Sequence, residues 1–225
     1  TLDRIEYAVE YRLAHGDAGG DVVDVYLFDN GSVAFSVTDI AGKGPAAAIH
    51  AALIKFGLRA YASQGSTPEH TLQALNTLYI ENATDEGDPS FATVFFGHVD
   101  VERRVMGYAS AAHDSVFLMP PKGRADVLPV TAPLIGVFDS QTPVFKGRYV
   151  EICPDTVLVA VTDGVTDARR GNIEFFGLDR IARCIEKHRD EPMAALAERI
   201  MHDAQAFWGE NYKRDDMAVL AVRFL

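Results

Sequence analysis

Aspartates recur at the ends of apolar, strand-like runs in this chain. Asp21 opens one such run in "GGDVVDVY". Asp39 closes another in "VTDIAGKGPAAA". Asp163 follows "VLVAVT" and is itself followed by Gly164. Asp215 and Asp216 precede the closing run "MAVLAVRF". One aspartate in such a place is ordinary turn chemistry, because its carboxylate bonds the neighbouring backbone. Several at strand ends can converge at one rim of a sheet. A carboxylate set with no His or Cys cluster suits a hard cation, Mg²⁺ or Mn²⁺, better than Zn²⁺. Two such ions close together lower the pKa of a shared water and neutralise a phosphoryl group. That combination answers the very slow uncatalysed hydrolysis of phosphate monoesters.

The glycine-rich turn after Asp39 invites a rival reading as a phosphate cradle. The P-loop pattern fails twice: Val37 stands where its first glycine belongs, and Gly44 where it needs a hydroxyl. The dinucleotide pattern is met literally by Gly42, Gly44 and Ala47. However, the helix that follows leads to another helix, and no acidic residue ends a next strand. Gly42 and Gly44 are therefore read as turn glycines, and Lys43 as a solvated or structural lysine at a helix start. No Ser–His–Asp or Cys–His arrangement is present. Asp163 also lacks an Asp-x-Asp partner, since Asp167 lies four residues on.

The hairpin between the first two aspartates gives a geometric test. A two-residue turn at Asn30-Gly31 would set Asp21 opposite Ile40, with Asp21 and Asp39 on opposite faces. A three-residue loop, Asp29-Asn30-Gly31, would set Asp21 directly across from Asp39, with Gly31 in the left-handed position of a type I turn with a bulge. Like charges across one rung are destabilising, so the second register asks for a cation between them.

The elements that must position these residues read as follows. Strands are expected at Glu6–Leu13, Asp21–Phe28, Ser32–Thr38, Phe91–Val99, Arg104–Ala109, Ser115–Met119, Phe145–Ile152, Val157–Thr162 and Met217–Phe224. Helices are expected at Pro45–Ala62, with proline just inside its start, and at Pro68–Asn82, with Thr67 as N-cap and His70 at its third position. Two more, Gly177–His188 and Met193–Trp208, carry apolar residues at helical spacing. Strands and helices do not alternate, which excludes a doubly wound α/β sheet. The fold class expected is α+β: two mainly antiparallel sheets, each covered by a helix pair.

The 225 residues carry a formal charge of -11, with 48% hydrophobic and 24% charged residues. That is ordinary globular composition. So acidic a surface repels nucleic acid and anionic membrane. Cys153 and Cys184 have no metal-type spacing and read as reduced structural thiols of a cytoplasmic protein. No apolar run approaches the ~18 residues of a membrane span, and no signal peptide is visible. The chain is read as one domain, 1–225, and its start at Thr-Leu-Asp as a boundary within a longer protein.

Taken in order, "GGDVVDVY", "VTDIAGKGPAAA", "SFATVFFGHVD", "YASAAHDSVFL", "APLIGV", "VAVTDGVTDAR", "FFGLDRI" and "RDDMAVLAVR" resemble the motifs of SpoIIE/RsbU-like phosphatases. These are the bacterial branch of the metal-dependent (PPM, type 2C) serine/threonine protein phosphatases. The resemblance covers about Ala8 to Leu225. It implies an αββα sandwich with two divalent cations, Mn²⁺ or Mg²⁺. Asp39 would bridge the two metals and the Ile40 carbonyl would be a further ligand. Asp21 would hold a metal or its water, and Asp163 and Asp215 would complete the other shell. Asp216 would support the site, with Gly20 and Gly42 as its turns; His113 reads as a structural histidine near the active edge, with a catalytic acid as the alternative. One departure stands out: the motif usually written Ala-Gly-His reads Ala111-Ala112-His113, followed by Asp114-Ser115 in place of two prolines. No arginine is assigned to substrate phosphate, and Arg12 reads as a solvated strand residue.

The resemblance further implies hydrolysis of phosphoserine or phosphothreonine on a regulatory protein, in this branch an anti-sigma-factor antagonist. It also implies a sensor or receiver domain ahead of this one, and it leaves a homodimer open. Two other functions share the residues: a phosphatase-like adaptor without turnover, and a small-molecule phosphatase.

Overall fold

The computed structural model describes residues 4–225 apart from 15–18, 30, 43, 83–90, 139–144, 172–173 and 209–214. In chain order the elements are β1 (Ile5–Arg12), β2 (Val22–Leu27), β3 (Val33–Ile40), α1 (Pro45–Ser63), α2 (Pro68–Asn82), β4 (Ala92–Asp100), β5 (Val105–Ala111) and β6 (Val116–Met119). There follow β7 (Asp126–Val127), β8 (Arg148–Glu151), β9 (Val157–Val161), α3 (Asp163–Thr166), β10 (Arg169–Arg170), β11 (Glu174–Phe175), α4 (Gly177–Lys187), α5 (Met193–Phe207) and β12 (Met217–Phe224). The expected α+β class holds, with two five-stranded antiparallel sheets and their helices. They fall into two compact units.

The unit of residues 18–114 and 129–151 holds the sheet β2-β3-β4-β5-β8 and the helices α1 and α2. Its strands alternate cleanly. Ala34 and Ile40 of β3, with Val94 and Phe96 of β4, join Ile54, Leu58, Leu72, Leu75 and Tyr79 of the helices in one apolar core. Burying side chains such as Leu72 and Leu75 stabilises by about 1.5–3 kcal/mol each. The period of two therefore puts Phe35, Val37 and Asp39 on the face turned away from α1 and α2. Asp24 of β2 lies on the helix face, where Arg59 of α1 grips its two oxygens at 2.6 and 2.7 Å. Thr67 and His70 meet across the start of α2, Oγ1 to Nδ1, at 3.1 Å.

The unit of residues 1–17, 115–128 and 152–225 holds the sheet β1-β12-β9-β6-β7 with α3, α4 and α5. Ile181 and Ile185 of α4 pack with Leu196, Ile200 and Met201 of α5 and with Val159, Val161 and Val219 of the sheet. The start of α5 has no capping side chain of its own. Instead, Glu6 of β1 accepts the Met193 N–H at 2.7 Å. The other oxygen of Glu6 takes Arg223 of β12 at 2.9 Å, and Arg223 in turn donates to the Arg189 and Glu191 carbonyls between α4 and α5.

Most boundaries fall within a few residues of expectation. The differences are local. The strand expected over Phe145–Ile152 is confined to Arg148–Glu151, and β5 begins at Val105 because Arg104 turns the chain at φ 56°. The short β7, the β10–β11 ribbon and the single turn α3 carry no periodicity of their own. Among the described residues no helix is long and apolar enough to cross a membrane.

Candidate active site

The first carboxylate pair is set by the β2–β3 hairpin. The Gly31 N–H donates to the Phe28 carbonyl at 2.9 Å, and the Phe28 N–H donates to the Ser32 carbonyl at 2.9 Å. Gly31 has φ 82°, the left-handed region that glycine occupies freely. The loop is therefore the three-residue one, although Asn30 itself lies outside the described residues. Pairing runs from Leu27↔Val33 to Val22↔Thr38. One more step in that register sets Asp21 across from Asp39, on the face away from the helices. Asp21 is buried and Asp39 half-buried.

The chain ahead of Asp21 presses on the turn that follows Asp39. A Cβ on Gly20 would stand 2.7 Å from the Ile40 carbonyl oxygen and 3.3 Å from that of Gly42. Only glycine allows so close an approach to the Ile40 oxygen. Gly42 and Gly44 are needed for a different reason. Both have positive φ, 113° and 83°, with nothing within 4 Å of where a Cβ would lie. They turn the chain into α1, which starts at Pro45. Lys43 lies outside the described residues.

The row continues across the sheet. Asp39 pairs with Thr93 of β4, so the two side chains are neighbours on one face. Thr93 Oγ1 lies 2.9 Å from His113 Nδ1, and His113 is buried. The His113 carbonyl accepts the Ser110 hydroxyl at 2.5 Å, and the Ala112 N–H donates to the Ala132 carbonyl at 2.9 Å. Ala112 has φ 52°. The departure from Ala-Gly-His thus falls on a left-handed position, where alanine is strained and glycine is not. Sequence reading missed Thr93. The alternation of "SFATVFFGHVD" puts it on a face with Phe95, but which strand it pairs with, and in what register, is a long-range matter.

The remaining aspartates belong to the other unit. Thr162 follows β9 and is the N-cap residue of α3; its N–H donates to the Ala218 carbonyl at 3.1 Å and its Oγ1 accepts the Ala218 N–H at 2.9 Å. This double bond pins the start of α3 beside the start of β12. Asp163 is the first residue of α3 and is exposed. A Cβ on Gly164 would lie 1.9 Å from the Asp216 carbonyl oxygen, so glycine is required for the two segments to meet. Asp216 is buried, and its Oδ1 accepts the Ala14 N–H at 2.8 Å, which ties β12 to the end of β1. Asp215 Oδ1 accepts the Asp216 N–H at 3.0 Å. Gly164 and Thr162 were not singled out from sequence. The Gly after Asp163 was the available signal. Arg12 bonds its own strand neighbours, Glu10 and the Tyr11 carbonyl.

Each unit thus brings its own aspartates together: Asp21 with Asp39, and Asp163 with Asp215 and Asp216. Among the described residues no three His, Cys, Asp or Glu side chains gather into a ready-made metal cluster. The donors are paired carboxylates and the Ile40 backbone carbonyl. That set fits Mg²⁺ or Mn²⁺, since Mg²⁺ in particular keeps several waters and takes only one or two carboxylates. It does not fit Zn²⁺.

Residues 29–225 match the family model described as "Stage II sporulation protein E (SpoIIE)". Protein IcfG of Synechocystis is 31% identical over 186 residues, covering 72% of this chain and 29% of its own length. Phosphoserine phosphatase RsbP of Bacillus subtilis is 26% identical over 217 residues, covering 94% of this chain and 51% of its own. The chain spans about half or less of the length of these two relatives. Among solved structures, the SiaA-PP2C domain of Pseudomonas aeruginosa superposes with a TM-score of 0.82 at 22% identity, covering 97% of this chain and 86% of that one. RsbX in complex with magnesium gives 0.71 at 17% identity, covering 99% of this chain and 96% of that one.

Proposed function

We propose that this chain, which belongs to the SpoIIE family, is a serine/threonine phosphatase domain of the PP2C type that hydrolyses phosphoserine or phosphothreonine on a regulatory protein, an anti-sigma-factor antagonist. The observation that carries this reading is Asp21 facing Asp39 across one rung of the β2–β3 ladder, next to the Ile40 carbonyl against which Gly20 closes. Two like charges opposed on one rung repel, and a cation between them would offset that repulsion.

In this reading Asp21, Asp39 and the Ile40 carbonyl in one unit, and Asp163 and Asp215 in the other, would serve as ligands to divalent cations, Mn²⁺ or Mg²⁺. Bound there, the cations supply a water of lowered pKa and offset charge on the phosphoryl group. The chain's own residues do the rest. Gly20 and Gly42 keep the Asp39 turn tight, so that its carboxylate and the next carbonyl present to the same side. Thr93 and His113 fix the flank of Asp39. Asp216, bonded to Ala14, fixes the start of β12 and with it Asp215. The homologue names support a phosphoserine substrate, RsbP being one, and the magnesium complex of RsbX supports the hard cation.

The test is hydrolysis of a chromogenic phosphate ester and then of a phosphorylated antagonist protein, with and without Mn²⁺. Turnover of both that vanishes in chelator and returns with Mn²⁺ or Mg²⁺ is expected. Undiminished turnover by metal-free protein would overturn the cation assignment. Ester turnover with an inert phosphoprotein would overturn the substrate assignment.

A further inference from the structure

A cavity of about 360 Å³ opens between α4, α5 and the β10–β11 ribbon, inside the unit that carries Asp163. Its wall is cationic, which is unexpected in a chain of formal charge -11. Arg170, Arg180, Arg183 and Lys187 line it against one carboxylate, Asp203. His188 also lines it, but its Nδ1 is engaged by Glu191 at 2.8 Å.

The four cations divide by role. Arg180 is a structural clamp: it donates to the Phe175 and Phe176 carbonyls at 2.9 and 3.0 Å and to Glu174 at 2.5 Å. Its guanidinium and that of Arg170 each lie 4.6 Å from the centroid of the buried Phe207 ring. The ring is therefore already engaged by two cations and by the edge contact with Phe176. A guanidinium held on a ring keeps its N–H edge for an oxyanion. Arg183 and Lys187 lie one turn apart on α4, a like-charge spacing that destabilises a helix. Lys187 alone is explained by its place at the helix C-terminus, where cations are favoured. Arg183 donates its Nε to the Asp179 carbonyl at 3.0 Å and keeps its other N–H groups, and Arg170, held on the ring, keeps its N–H edge. The volume is at the small end of small-ligand sites, and the exposed Arg170, Arg183 and Lys187 are the donors left for a ligand.

We propose that this cavity binds a compact, multiply charged oxyanion of the diphosphate class through Arg170, Arg183 and Lys187. The site is separate from the aspartates described above and does not depend on the reading given to them. The ligand is either free diphosphate or the diphosphate of a nucleotide, and the engaged ring predicts that a base adds nothing.

The experiment is calorimetric titration of the intact chain, without added metal, with inorganic diphosphate and separately with ADP. Wild type should bind one diphosphate, more weakly as salt is raised. Arg183→Gln/Lys187→Gln should weaken it at least ~10-fold, the scale of losing hydrogen bonds to charged groups. Arg170→Gln, made separately, should also weaken it, with both variants still unfolding cooperatively as folded chains. Equal affinity for ADP supports the assignment. No binding, binding unchanged in both variants, or ADP binding much tighter than diphosphate would each overturn it.

Discussion

Replacing Asp39 by asparagine should separate the two roles of the aspartate pair, because it should strengthen the metal-free fold while abolishing function. Directly opposed residues on one face have Cβ atoms about 4.5–5.5 Å apart. Two unit charges about 5 Å apart at an effective dielectric of about 20 repel by roughly 3 kcal/mol. Partial exposure of Asp39 lowers this, so about 1–2 kcal/mol is the expected gain for Asp39→Asn in chelator. For a chain of this size that is roughly 2–8 °C in Tm. With Mn²⁺ present the order should reverse. Wild type gains stability as its sites fill, by an amount that grows with the ratio of free metal to Kd, and the variant gains less. Turnover of the variant should fall at least ~10²-fold, the scale of losing a well-placed electrostatic group. The assay is a pair of thermal melts, in chelator and in Mn²⁺, alongside ester hydrolysis. A variant less stable than wild type in chelator, or equally stabilised by Mn²⁺, would refute the opposed-charge argument. Near wild-type turnover by a metal-loaded variant would show that Asp39 only shapes a turn.

Gly164→Ala would place a methyl 1.9 Å from the Asp216 carbonyl oxygen; the segments must part, at a cost of about 1–3 kcal/mol, read as a lower urea midpoint together with lost activity. Ala112→Gly should be the opposite case. Releasing a left-handed alanine gains about 1–2 kcal/mol, the added unfolded-state entropy costs about 0.5–1 kcal/mol, and a net gain of about 0.5 kcal/mol in denaturant titration is expected. Cys184 is buried, which pushes its thiol up to about 11, whereas Cys153 is exposed. At pH 8 an alkylating reagent should therefore label the folded chain once, at Cys153, and twice only after unfolding, as counted by mass spectrometry.

What the sequence made legible here is local, and what it hid is long-range. Alternation and turn residues were enough for most strands and for α1 and α2, because Pro45, Pro68, Thr67 and Gly31 act on their immediate neighbours. The register of Asp21 and Asp39 was narrowed to two choices for the same reason, and the structure decides between them. A hairpin's register follows from its loop length, and the loop has two chemically sensible choices that give opposite faces. The His113–Thr93 bond and the Thr162–Ala218 pair join residues 20 and 56 positions apart, and no local pattern encodes them. Glu6 capping α5 joins residues 187 positions apart. The glycines carry the most instructive lesson. Gly42 and Gly44 advertise themselves by clustering, yet they serve only backbone angle. Gly20 and Gly164 look incidental, yet they are the places where two backbones meet. Each lies one residue from an aspartate of the proposed centre: Gly20 precedes Asp21, and Gly164 follows Asp163. A carboxylate can be supplied by a single residue, whereas holding two of them together requires two segments to approach at backbone distance. In this fold the glycine beside the aspartate, as much as the aspartate, is what makes each half of the site.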